Sequence, residues 1–182
     1  MKRTKETITL GSGKIYAMDY VDEIPTDETI EVSENLLGYI KGGAELEYSP
    51  EFYDAKDDLG IVQKTIITEE EAILKSGIMT WNADTLAKLA ATSRVTEGDG
   101  TRTLKVGGVA NQNGKKYIIR FVHEDAVDGD VRITIVGQNQ SGFTLSFMKD
   151  DETVIDAEFK ALPNLDKEGT LILFEEETGT GA

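Results

Sequence analysis

The chain has 182 residues, 39% hydrophobic and 29% charged, which is the balance of a folded globular protein. It contains no cysteine, so disulfide bonds, thiolate chemistry and cysteine-based zinc sites are excluded. Nineteen Lys and Arg against 34 Asp and Glu give a formal net charge of −15, which disfavours tight binding to phosphate backbones. Without a long apolar run, or an apolar segment after the basic residues 1–5, we expect no membrane association, no secretion signal and synthesis in a cytoplasm.

The first half of the chain predicts strands separated by one unusual connection. Short strands are expected at 14–20 and 36–40, and an alternating strand at 44–48. A second run, at 61–67, has the β-branched character of a strand, and residues 72–81 continue as a strand interrupted at Ser76-Gly77. We interpret the acidic, aromatic residues between 48 and 61 as a long loop.

This predicted loop is the strongest functional signal in the sequence. Long loops in compact domains are usually functional or disordered, and aromatic side chains are enriched where surfaces meet partners. A monomer gains little from aromatic residues exposed among so many carboxylates. We therefore predict a docking arm formed by Tyr48, Phe52, Tyr53, Asp54, Asp57, Asp58, Leu59 and Ile61.

One helix is predicted at about 82–93. Asn82 can cap its first turn, Asp84 suits the positive end of the helix dipole, and Leu86, Leu89 and Ala90 form one apolar stripe. A helix of about three turns is too short to be stable alone in water, so we expect it to pack on the strands.

The second half alternates apolar and polar residues with the period of half-buried strands, at 117–122, 131–135, 143–147 and 155–159. Turn signals separate them at Asn113-Gly114, Asp128-Gly129 and Ser141-Gly142, and a last strand is expected at 171–174. The predicted fold is mainly β, an antiparallel β-sandwich or barrel with one flanking helix. We expect a single domain over residues 1–177 and a flexible C-terminal tail over 178–182.

Candidate chemistry is sparse. His123, the single histidine, stands at a strand end without a glycine-elbow serine elsewhere in the chain. Asp125, Asp128 and Asp130 surround a glycine turn but lack the spacing of a calcium loop. We therefore predict no catalytic, cofactor-binding or metal-binding residues, and a protein that is not an enzyme.

Several strings, in their order along the chain, resemble the major tail tube proteins of tailed bacteriophages and prophages. The similarity extends from about residue 7 to 177, and no single string would suffice alone. The strings are residues 37–44 (LGYIKGGA), 53–60 (YDAKDDLG), 65–81, 114–121 (GKKYIIRF), 157–163 (AEFKALP) and 169–174 (GTLILF).

The resemblance implies a structural virion protein that self-associates into hexameric rings, which stack into a hollow tube for DNA ejection. It also implies that the 48–61 segment reaches the adjacent ring. Implied partners are other tail proteins (tape measure, terminator, and baseplate or distal tail proteins), with DNA passing transiently and without specific binding. The implied location is the virion tail, after synthesis in the bacterial host.

A conduit for DNA would be lined by polar residues that repel phosphate. The polar sides of the later predicted strands supply the candidates for a lumen-facing surface, which are Thr134, Thr144, Ser146, Asp156 and Glu158. The other interpretation is that this polar face is simply solvated, and Arg120 and Arg132 on the same face argue against an acidic lining.

Two other functions remain open from the sequence. One is a different head–tail or decoration protein of the virion, which copy number per particle would distinguish. The other is a non-enzymatic β-sandwich binding module, for example for carbohydrate. That function needs exposed coplanar aromatic residues, and the chain has one tryptophan.

Overall fold

The computed structural model describes residues 9–178 and confirms a mainly β, antiparallel, sandwich-like fold. The predicted C-terminal tail, residues 178–182, lies almost wholly outside the described residues, which include only Thr178 of it. The strands are β1 (Lys14–Asp19), β2 (Leu36–Gly38), β3 (Ile40–Lys56), β4 (Gln63–Ile78), β5 (Arg94–Gly98), β6 (Thr101–Lys105), β7 (Tyr117–His123), β8 (Val131–Asn139), β9 (Ile155–Ala161) and β10 (Leu173–Glu176). The helices are α1 (Asp27–Ile30) and α2 (Ala83–Lys88), with short 3₁₀ turns at Ser33–Asn35 and Val109–Asn111.

Eight strands form one sheet in the order β2-β1-β7-β8-β9-β4-β3, and β10 pairs with β8. The sheet divides at β8. The first half of β8 pairs with β10, and its last residues, Gly137 to Asn139, pair with β9. Strands β5 and β6 form a separate two-stranded sheet.

The sheet folds over one main core and carries a second, smaller core on its other side. The main core contains Ile119 and Ile135 from β7 and β8, packed with Leu74 of β4 and Phe159 of β9. The second core lies on the opposite face of β1, β7 and β8, where Ile118 and Val136 pack with Ile30 of α1. Successive side chains of a strand point to opposite faces of the sheet. Where α1 covers the sheet, apolar side chains are therefore buried on both faces.

Beside this second core, a group of charged side chains joins α1 to the sheet. Arg120 of β7 is only 1% exposed. It forms ion pairs with Asp27 of α1 and with Glu31, the residue that follows α1, and its Nε donates to the Thr134 hydroxyl at 2.9 Å. Arg132 of β8 lies 2.7 Å from Glu31, and this hydrogen bond is the main cause that raises the pKa of Arg132. These charged side chains thus pair with one another where α1 packs on the sheet.

Helix α2 is shorter than the predicted span of 82–93. The cap is as expected, because the Asn82 side chain accepts from the backbone N–H groups of Asp84 and Thr85. The helix ends at Lys88 because the chain turns away at its C-terminus, where Ser93 donates to the Ala87 carbonyl at 2.7 Å. Arg94, the residue after the predicted helix, begins β5.

The predicted strand at 143–147 was wrong. Phe143 and Leu145 still pack against the main core, so the alternation of the segment reflects real burial. The backbone, however, has no strand assignment between β8 and β9. Instead the Ser146 carbonyl accepts a hydrogen bond from the Thr153 hydroxyl, and Phe147 contacts Trp81 edge to face at 6.2 Å between ring centroids. The segment is an extended loop.

Gly137 marks a close approach between β8 and β9, and it gives a first testable prediction. A Cβ at this position would lie 2.2 Å from the Lys160 carbonyl oxygen, which is backbone and cannot rotate away. We expect Gly137→Ala to lower the free energy of unfolding by about 1–3 kcal/mol, because overpacking forces the strands apart. Urea unfolding measures this. The control is Gly98→Ala, where no heavy atom lies within 4 Å; an equal loss in the control would contradict the steric explanation.

Candidate assembly interface

The β3–β4 hairpin extends far beyond the body of the protein. Its inner part joins the sheet through β9, whose pairing with β4 covers Ile73 to Ile78. Beyond the pairing of Tyr48 with Ala72, we call residues 49–70 the arm. Every side chain of the arm except Pro50 is exposed. At about 3.4 Å per residue, the strands of the arm reach roughly 25–30 Å from the Tyr48–Ala72 pair.

Cross-strand pairs hold the arm together. Phe52 faces Ile67 on one side of the hairpin, and Tyr53 faces Ile66 on the other. Aromatic and β-branched residues opposite one another are favourable pairs in antiparallel strands. Between Glu51 and Phe52 the register shifts, which leaves Thr68 as an extra residue, and its hydroxyl donates to the Glu51 carbonyl. The arm therefore carries apolar residues on both faces.

A compact turn closes the tip of the arm. The Asp57 carboxylate accepts from the backbone N–H of Val62 at 2.7 Å and of Leu59 at 3.3 Å. These hydrogen bonds, the one from Val62 first, lower the pKa of Asp57. Gly60 supplies the positive φ of +68° that the turn requires. The turn leaves Leu59 and Ile61 outward, 80% and 77% exposed.

The predicted arm residues belong to the exposed hairpin or its base, but the predicted loop conformation was wrong. Strand β3 continues to Lys56, and only residues 57–62 connect it to β4. The cause is the pairing of β3 with the β-branched return strand, which the acidic composition of 50–58 conceals. Tyr48 is at the base, where its hydroxyl donates to Glu70 and its pKa is raised by that bond. Asp54 accepts from Thr65, and Asp58 is exposed at the tip.

Sequence reasoning missed the apolar residues of the return strand. Ile66 and Ile67 of β4, and Val62 directly before it, are all exposed, and they add to the apolar surface of the arm. The sequence did contain a signal for these residues. Residues 65–67 are three consecutive β-branched residues, which favour a strand.

Two of the predicted lumen-facing residues lie in an open concavity on the outer face of β3, β4 and β9. Asp156 and Glu158 are exposed there, in a concavity of about 550 Å³ that also includes Lys75 and Glu45. Lys75 lies 2.7 Å from Glu47 and 3.4 Å from Glu45, and its pKa is raised mainly by the bond to Glu47. The concavity is thus lined by three carboxylates and by two lysines, Lys41 and Lys75.

The other three lumen-facing candidates do not share that exposed face. Thr134 is fully buried, and the prediction that it is exposed was wrong because α1 and Arg120 cover that part of the sheet. Thr144 and Ser146 are exposed, but they belong to the loop between β8 and β9 rather than to a strand. The expected single polar face is therefore divided into a covered part and an open part.

The remaining polar candidates have local structural roles. Asp125 accepts from the N–H groups of Val127 and Asp128, and Asp130 accepts from that of Asp125, which closes the turn between β7 and β8. His123 is buried, with Nδ1 2.8 Å from the Ser12 carbonyl oxygen. Over residues 9–178, no three His, Asp or Glu side chains are grouped so that they could hold a metal ion.

Neither of the helices described between residues 9 and 178 is long and apolar enough to cross a membrane. Comparison with known proteins adds no assignment. No protein-family model matches the chain, and no curated protein matches it. The most distinctive surface of the molecule is the exposed, apolar and acidic arm.

Proposed function

We propose that this protein is a structural subunit that assembles with copies of itself through the arm, as the tail tube protein of a bacteriophage-like particle. The observation that carries the proposal is the two-stranded arm, whose apolar residues are exposed on both faces. In the proposed assembly, six copies form a ring and rings stack into a hollow tube. The arm of one copy reaches a copy in the adjacent ring.

The energetics of the arm support assembly. A two-stranded hairpin without a covering layer is marginally stable in water. Burying a large apolar side chain such as Phe52 or Ile61 stabilises by about 1.5–3 kcal/mol. Contiguous apolar surface of this kind on a soluble protein is typical of interaction sites. Docking on a second copy would cover the arm and provide the stability that it lacks alone.

The sheet also ends in a long edge. In the described part of the chain, β3 pairs only with β4, so its other edge offers backbone N–H and C=O groups to a partner. Long open edges associate unless they are protected or covered. A closed ring of copies covers such edges, and head-to-tail contacts between rings extend a filament.

The charge of the protein suits a conduit. Six copies would carry a formal charge of about −90, since each carries −15. Asp156 and Glu158 would face the channel in the proposed tube, where carboxylates repel DNA phosphates and keep the DNA from adhering as it passes. In this role the protein needs no catalytic group or cofactor. Its partners would be the tape measure, terminator, and baseplate or distal tail proteins.

The proposal is tested by negative-stain electron microscopy of the purified protein over a range of concentrations, with light scattering for mass. We expect rings of sixfold symmetry or tubes at high concentration. The proposal would be excluded if the protein remained monomeric at every concentration and was not present in many copies in bacteriophage-like particles.

A further inference from the structure

The strand pairing places the arm and helix α2 at opposite ends of the molecule. Strand β4 runs from the arm to Ile78, which pairs with Ile155, the first residue of β9. Strand β8 runs in the same direction as β4, because both are antiparallel to β9, and its last residue, Asn139, pairs with Phe159 opposite Leu74. Strand β7 begins beside the last residues of β8, where Tyr117 pairs with Gly137. Helix α2 follows directly after β4. We call this the helix end, and it lies opposite the arm.

Near the helix end lies a segment with more cations than carboxylates in its sequence, residues 94–116. Residues 94–116 contain five Lys or Arg and only two acidic residues, Glu97 and Asp99. The arm, residues 49–70, has the opposite composition, with six Asp or Glu and two lysines. The two segments are thus complementary in charge, and complementary charges determine both specificity and the rate of encounter at interfaces.

The basic segment is also held in place and partly apolar. Arg102 of β6 lies 2.7 Å from Asp84 of α2, which fastens the β5–β6 hairpin to the helix. The Asn113 N–H donates to the Ala91 carbonyl at 2.8 Å, which fastens the following loop. Between these anchors Val106 is half-exposed and Val109 is 89% exposed. Lys105 is exposed beside them.

We infer that residues 94–116 are the surface that receives the arm of a second copy of this chain. The inference rests on the proposed function and specifies which face the arm meets. Acidic residues such as Asp58 would approach the basic segment, and Leu59 and Ile61 would cover Val106 and Val109. Two arms docked on each other would instead bring like charges together. A contact between opposite ends of identical molecules is heterologous, and it can repeat along an axis.

Site-directed crosslinking tests the contact directly. Because the chain has no cysteine, Val62→Cys introduces one thiol at the tip of the arm, in a side chain that is 67% exposed. A benzophenone attached to this thiol is activated by light under assembly conditions, and the adducts are mapped by mass spectrometry. The control is Val127→Cys, which is 65% exposed in the turn between β7 and β8, outside the arm.

We expect intermolecular adducts of the Val62→Cys probe within residues 94–116, and none there from the control. Assembly with adducts confined to other surfaces would overturn this inference and leave the proposed function standing. A protein that gives neither assembly nor intermolecular adducts at high concentration would contradict both.

Charge reversal gives a second, independent readout. Lys105→Glu and Asp58→Lys are each expected to weaken self-association about fivefold or more, and the two together to restore most of the loss. Lys167→Glu is the control, because it makes the same charge change at an exposed lysine outside the segment. If Lys105→Glu and Lys167→Glu weaken association equally, net charge alone explains the effect and the inference fails.

Discussion

Replacing Phe52 and Tyr53 together with alanine is expected to abolish self-association while leaving the stability of the monomer nearly unchanged. Both side chains are 58% exposed, and they lie on opposite faces of the arm. A truncated aromatic anchor at an interface often costs 2 kcal/mol or more, which is roughly 30-fold in affinity for each site. The double substitution removes one aromatic side chain from each face of the arm. In the monomer the same rings cover little, so their loss removes little stability.

Two measurements separate these effects. Light scattering or sedimentation gives the mass of the assemblies, and urea unfolding gives the stability of the monomer. Phe52→Tyr and Tyr53→Phe are matched controls, since each keeps the aromatic ring at its position, and both should assemble. If the double alanine variant assembles as the wild type does, the arm is not the interface.

Replacing Arg120 with methionine is expected to lower the free energy of unfolding by about 3–5 kcal/mol, because a buried ion pair then loses one partner. Arg120 is almost fully buried and pairs with Asp27 and Glu31. Without the guanidinium, the Glu31 carboxylate, with a side chain only 18% exposed, keeps Arg132 as its remaining close cation. The contact between α1 and the sheet should loosen, and urea denaturation measures the loss.

Arg102→Met is the control for this prediction. Arg102 also pairs with two carboxylates, those of Asp84 and Glu97, but its side chain is 41% exposed. Exposed ion pairs contribute about 0–1 kcal/mol, because water and salt screen them. We therefore expect a small effect. Equal losses in the two variants would show that burial is not what makes the Arg120 group important.

Strands with a clear alternation of apolar and polar residues were predictable, whereas the mostly exposed strands β5 and β6 were not predicted. Strands β7, β8 and β9 alternate clearly and were placed correctly by their period. Residues 143–147 alternate in the same way but form no strand, because alternation reports which side chains are buried and not whether a neighbouring backbone is present. The sequence also did not predict where α2 ends. Ala90 and Ala91 favour helix, but the chain leaves the helix before them and enters β5 at Arg94.

The sequence located the exposed segment that forms the arm, but it did not predict that this segment is a hairpin. The aromatic and acidic composition located the arm, because such residues are unusual on a monomer surface. Its hairpin depends on partners such as Ile66 and Ile67 across the register, and pairing of this kind is not visible in one strand alone. Thr134 was assigned to an exposed face for a related reason, since nothing in its own strand indicates that α1 covers it.

The continuity of β3 and β4 from the core to the arm has a mechanical consequence. A pull on the tip along the strands displaces both strands together, and so loads the ladder between β4 and β9, from Ile73 opposite Lys160 to Ile78 opposite Ile155. Those hydrogen bonds lie across the direction of pull and share the load in shear, rather than opening one after another as in unzipping. In the proposed assembly, tension between neighbouring subunits would thereby be carried into the main sheet, where Leu74 and Phe159 are packed.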